Sequence, residues 1–109
     1  MSDRPWKAHE RRAAALIGGV RYPANQGGPV DVESPAFVGQ CKEVKTLPFP
    51  ELERLALEAE RQGIQRHKIG LCIIKRRAGS GVKTPTLVVM TAGQFREMSG
   101  PLPGEPTDA

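Results

Sequence analysis

Two strand-like segments in the first half of the chain hold the residues best suited to chemistry. Within Gly28–Lys45, GPVDVESPAFVGQCKEVK, a lone acid, Asp31, stands in the first segment and a Gln-x-Lys triplet, Gln40-Cys41-Lys42, in the second. Residues two apart on a strand share a face, so Gln40 and Lys42 project together while Cys41 turns away. The turn Ser34-Pro35-Ala36 folds the two strands together and carries Asp31 toward the same place. An acid, an amide oxygen and an ammonium converging at the end of a hairpin suit a divalent cation held beside a phosphate. Asp31 is the first expected ligand, with the Gln40 side chain and the Cys41 carbonyl adding oxygens. Lys42 would orient a water or offset charge on the phosphate.

A further acid comes from the N-terminal segment. Trp6, Ala13, Ala14 and Ile17 recur at helical spacing, and at ~100° per residue Glu10 falls within ~60° of Trp6, Ala13 and Ile17. A carboxylate on an inward face needs a partner. The plain expectation is a salt bridge to Lys7 or Arg11. If the helix packs beside the Asp31 site, Glu10 would instead hold metal-bound water or a second ion.

The elements that must position these residues follow from the punctuation of the chain. Ser2 or Asp3 caps the first helix, Pro5 fits its first turn, and Gly18-Gly19 ends it. Val20–Tyr22 is a short strand, and residues 23–29 are a Gly/Pro/Asn loop. Val30–Glu33 and Phe37–Val44 form the hairpin. Pro48 and Pro50 open a second helix whose apolar face is Leu52, Leu55, Ala56 and Ala59, with Gly63 closing it. Its charged residues Glu58, Glu60 and Arg61 are assigned to solvent. Ile69–Ile74 and Leu87–Met90 are apolar runs suited to buried strands, separated by a Gly- and Lys-rich turn over 76–84. Thr91 caps a last short helix carrying Phe95 and Met98, and the tail from Ser99 lacks periodicity.

With 109 residues, one domain is expected, over 1–98, with 99–109 as a flexible C-terminal tail. Two cysteines, Cys41 and Cys72, are too few for a disulfide framework and suggest buried, reduced thiols. No apolar run reaches the ~20 residues of a membrane helix, and MSDRPWKAHERR has no h-region, so a cytoplasmic location is expected. Sixteen basic residues against twelve acidic ones give a net charge of +4, a mild lean toward a polyanion. Candidate phosphate contacts are Arg4, Lys7, Arg11, Arg21, Lys45, Arg66, Lys68, Arg76, Arg77 and Lys83. Arg21 and Lys45 flank the candidate site most closely, and such contacts hold a backbone without reading sequence.

This order, and the set Glu10, Asp31, Gln40-x-Lys42, resembles the PD-(D/E)XK nuclease superfamily over about Trp6–Met98. Within it the chain looks most like small Holliday junction resolvases of archaeal and phage type. Lys45-Thr46-Leu47-Pro48 is similar to the basic segment that leads into their second helix. The superfamily usually has an acid where Gln40 stands, and VGQCK looks like the Gln-x-Lys version of the Mrr-like group. The resemblance implies a restriction-endonuclease-like α/β fold, a mixed central sheet flanked by helices in the order α-β-β-β-α-β-β-α. It also implies Mg²⁺, with Mn²⁺ able to substitute, a branched DNA substrate and a homodimer. The dimer interface is expected on the second helix near Leu57 or on the last strand. Alternatives are a nuclease on duplex DNA, or a fold with weakened catalysis that binds DNA or a partner. Glu33 is a candidate accessory ligand, and Glu43 faces away from Gln40.

Overall fold

The structure is a computed structural model and describes residues 5–22 and 28–104. The elements are α1 (Pro5–Leu16), β1 (Val20–Arg21), β2 (Val32–Glu33), β3 (Phe37–Val44), α2 (Phe49–Arg66), β4 (Ile69–Arg76), β5 (Thr86–Val89) and α3 (Ala92–Ser99). The caps expected at Ser2 or Asp3, residue Arg4, the loop residues 23–27 and the tail beyond 104 lie outside the described residues.

The five strands form one mixed sheet in the order β1-β2-β3-β4-β5. β3 and β4 run parallel over their whole length, Phe37 opposite Ile69 through Val44 opposite Arg76, and every other neighbouring pair is antiparallel. A parallel pair needs a crossover, and α2 supplies it. Alternation along β4 divides the core in two. Leu71 and Ile73 pack with Ala13 and Ala14 of α1 and with Val32, whereas Cys72 and Ile74 pack with Leu55 of α2. α1 therefore covers one face of the sheet and α2 the other, which is what a near-continuous apolar strand such as β4 requires.

Several expectations change. β2 holds two residues rather than four, because the chain bends at Asp31. α2 runs past Gly63 to Arg66 and ends on His67 in the left-handed conformation, φ 57°. Gly63 is buried in the helix for a packing reason: a Cβ there would lie 2.4 Å from the Gly70 nitrogen. Leu87–Met90 is not a buried strand. β5 is a sheet edge with Leu87 and Val88 about half exposed, as is Trp6, which was expected on the inward face of α1. Trp6 instead has Lys7 Nζ and Arg21 Cζ at 5.5 and 5.8 Å from its ring centre, a cation–π arrangement. On α3 Thr91 is the cap, accepting from Gln94 N at 3.1 Å. The residue that α3 buries is Gln94, while Phe95 and Met98 stay largely exposed.

No helix among the described residues is long and apolar enough to cross a membrane. Cys41 and Cys72 are free thiols, half-buried and buried. Burial pushes the Cys72 thiol up to about 11 and the Cys41 thiol higher still, with Asp31 and Glu10 adding repulsion at Cys41, so both stay protonated at neutral pH.

Candidate functional site

Asp31 sits at the bend before β2, and its backbone serves two strands. Its N–H donates to Gly39 O and its carbonyl accepts from Tyr22 N, both at 2.9 Å. With that carbonyl turned to Tyr22, the N–H of Cys41 on β3 is taken by the side chain instead: Asp31 Oδ2 accepts it at 2.7 Å. The carboxylate is thereby fixed against the middle of β3, and Oδ1 has no partner among the described residues.

One register step along, Gln40 and Lys42 project to the α2 face. With Asp31 they line a cavity of about 270 Å³ closed by Gly28 and Pro29 on one side and by Arg54, Leu55 and Glu58 of α2 on the other. Gln40 is only 8% exposed, yet its amide bonds no described residue. Lys42 is exposed and likewise makes no ion pair or hydrogen bond among the described residues. Its charge reaches α2, adding to the Arg54 guanidinium that holds the Glu51 carboxyl below its ordinary value.

Glu10 does not join this cavity. Its carboxylate accepts from Arg21 Nε at 2.8 Å, in a pair whose side chains are 14% and 26% exposed. The expected partners Lys7 and Arg11 are replaced by an arginine from β1, because α1 packs against the β1–β2 edge on the sheet face opposite α2. Glu10 thus ties β1 to α1 and does not line the cavity with Asp31 and Gln40. Glu33 is likewise bonded elsewhere. It accepts from Tyr22 Oη, Arg66 Nη1 at 2.7 Å and Lys68 Nζ at 2.6 Å, which tie the β1–β2 hairpin to the end of α2. Burial pushes its carboxyl up, but the bonds from Lys68 and Tyr22 and the charges of Lys68 and Arg66 outweigh that and hold it below its ordinary value.

The basic residues divide similarly. Arg21, Arg66 and Lys68 are committed to carboxylates. Lys45 borders a mainly apolar cavity of about 260 Å³ with Leu47, Leu52, Ile74, Leu87 and Arg76. Arg11, Arg76, Arg77 and Lys83 are exposed.

Two cavity residues escaped the sequence reading, Arg54 and Glu58. Glu58 follows Leu55 by three residues, ~60° around the helix, so it borders the apolar stripe instead of opposing it. That offset was the available signal. A third, His9, is 2% exposed and its Nε2 lies 3.0 Å from Ile73 O, bridging α1 to the sheet.

No group of three or more His, Cys, Asp or Glu side chains is placed to hold a metal among the described residues. What the cavity offers a hard cation is the unpartnered Asp31 Oδ1 and the Gln40 amide oxygen. That fits Mg²⁺, which keeps most of its coordination as water and takes few protein oxygens. The class of molecule is thus an α/β domain with a mixed five-stranded sheet and a small polar cavity under its crossover helix. Comparison with protein-family models, with curated proteins and with solved structures finds no match in any of the three.

Proposed function

We propose that the protein is a divalent-cation-dependent endonuclease that hydrolyses phosphodiester bonds in branched DNA, in the manner of a Holliday junction resolvase. The observation that carries this reading is the meeting of Asp31, Gln40 and Lys42 in one cavity, where neither Asp31 Oδ1 nor the Gln40 amide bonds a described residue. The strand order, with its one parallel pair bridged by α2, supports a restriction-endonuclease-like domain.

Asp31 and Gln40 would hold the cation, which when bound polarises a phosphoryl oxygen and lowers the pKa of a coordinated water. Asp31 is kept in place by the Cys41 N–H, so its free oxygen is oriented before any ligand arrives. Lys42 donates to a non-bridging oxygen of the phosphate and offsets the charge that grows there in the transition state. Arg54, at the mouth, can meet the neighbouring phosphate once it leaves Glu51. Exposed Arg76, Arg77 and Lys83 add contacts that do not depend on sequence.

The test is cleavage of a synthetic four-way junction in Mg²⁺. The parent should cut the junction in preference to linear duplex, and Asp31→Ala should lose at least 100-fold in rate, roughly the scale of a lost electrostatic contact. Equal cutting by parent and variant would end the proposal. The neutral Gln40 favours a second reading, a nuclease-like fold that binds DNA without cutting it; such a protein would bind the junction with no dependence on Mg²⁺ or Asp31. Under the first reading Gln40→Glu should tighten Mn²⁺ binding severalfold by calorimetry.

A further inference from the structure

With an amide at position 40, the strands deliver a single carboxylate to the cavity. The other acid on its wall comes from the crossover helix. We propose that Glu58 supplies the second carboxylate of a divalent-cation site whose other protein oxygens are Asp31 Oδ1 and the Gln40 amide oxygen. This inference rests on the cation-dependent reading of the same cavity, and goes beyond it by assigning a ligand on α2 that the strand pattern does not contain.

Three observations lead there. Glu58 lines the cavity opposite Asp31, reaching it from the turn of α2 that also places Arg54 and Leu55 on the wall. Gln40, 8% exposed, lines the same cavity and bonds no described residue. No buried side-chain nitrogen or oxygen among the described residues lacks a partner, so the Gln40 amide is no orphan; it stands on the cavity wall, where its oxygen can meet an entering ion. Lastly, Glu58 is held as a carboxylate but not locked. Arg61 and Gln62 donate to it, the latter from Nε2 at 3.3 Å.

Arg61 is 63% exposed and pairs with Glu58 one turn away, an arrangement worth little in water. A cation can therefore displace it at small cost, while Gln62, buried beneath, steadies the carboxylate. Two carboxylates and one amide oxygen, with the remaining positions held by water, satisfy an octahedral ion. The charge missing at position 40 is thereby restored from the opposite wall.

Isothermal titration calorimetry of Mn²⁺ into the full chain tests this. Glu58→Gln should weaken binding at least tenfold, as Asp31→Asn should, with circular dichroism melts of the same samples to check that each variant is folded. Glu53→Gln removes an exposed acid of the same helix that does not line the cavity, and should bind like the parent. Arg61→Ala should bind as well as the parent or better. If Asp31→Asn loses binding and Glu58→Gln keeps it, Glu58 is not a ligand, and the nuclease reading stands without it. Equal losses in Glu53→Gln and Glu58→Gln would reduce the effect to general surface charge and overturn the assignment. A parent that binds no Mn²⁺ overturns both the ligand and the cation-dependent function.

Discussion

Asp31, at the bend before β2, and Glu33, within β2, stand two residues apart, yet their surroundings give them opposite uses. Asp31 keeps one oxygen bonded and one open, whereas Glu33 is saturated by Tyr22, Arg66 and Lys68. Saturation makes Glu33 a stability residue with a defined pH signature. Its native pKa is below the ordinary 4.5, so its contribution is fully present above that value and is lost as pH falls through the lower native one. Tyr22 has the opposite sense: the bond to Glu33 raises its pKa above 10.0, so its contribution holds below pH 10 and is lost as pH rises through the raised value. Glu33→Gln should therefore cost about 1–3 kcal/mol in urea unfolding at pH 7. The difference from the parent should shrink well below pH 4.5; a gap unchanged at pH 3 would show that the carboxylate's charge is irrelevant. From the sequence, strand alternation sufficed to put Asp31, Gln40 and Lys42 together. It could not separate Asp31 from Glu33, because the cationic partners of Glu33 lie 33 and 35 residues away. The partner of Glu10 was missed for a similar reason, its arginine arriving from another element.

The elements themselves were legible where local chemistry decides them. Gly18-Gly19 after a helical stripe, Pro48 and Pro50 before one, and Thr91 as a cap all fall where such residues act on their own backbone. The end of α2 was not legible, since Gly63 serves a contact and not a cap. The seam between α2 and β4 is built on two glycines: a Cβ at Gly70 would sit 1.8 Å from Ala59 O, and one at Gly63 would meet the Gly70 nitrogen. Both obstacles are backbone, which cannot swing aside as a side chain would. Gly70 N also donates to Gln94 Oε1 at 2.8 Å, so displacing β4 loosens α3 as well. Gly70→Ala should then destabilise the protein by about 2–3 kcal/mol, the upper part of the range for an overpacked core. A thermal melt checks it, and an unchanged midpoint would mean that α2 can lift from the sheet without penalty. Since Glu58 rides on that helix, the same variant should also weaken Mn²⁺ binding.

At the scale of the whole molecule, a single cavity meets a substrate that the proposed function requires to be cut twice. A four-way junction has two-fold character, and a C2 pair of chains would present two cavities related by that symmetry. Two surfaces were open to this role from the sequence, the outer side of α2 and the last strand. The fold separates them. On α2, Leu57 and Ile64 are 57% and 62% exposed but two turns apart, with Glu53, Glu60 and Arg61 around and between them, and apolar side chains scattered among charges are ordinary surface. β5 is different: as the sheet edge among the described residues it leaves one side of its backbone without a described partner strand, with Leu87 and Val88 exposed on opposite faces. An edge without charge or proline in its strand is open to pairing with a second copy of itself, which would join two sheets into one. Sedimentation of the parent should accordingly give a dimer and Val88→Lys a monomer, while Leu57→Lys stays dimeric. A charge at Val88 acts only by blocking the edge, because that side chain is already half in water and the fold does not depend on burying it. A parent that sediments as a monomer at micromolar concentration, with or without junction DNA, would mean that the two cuts are made by separate encounters.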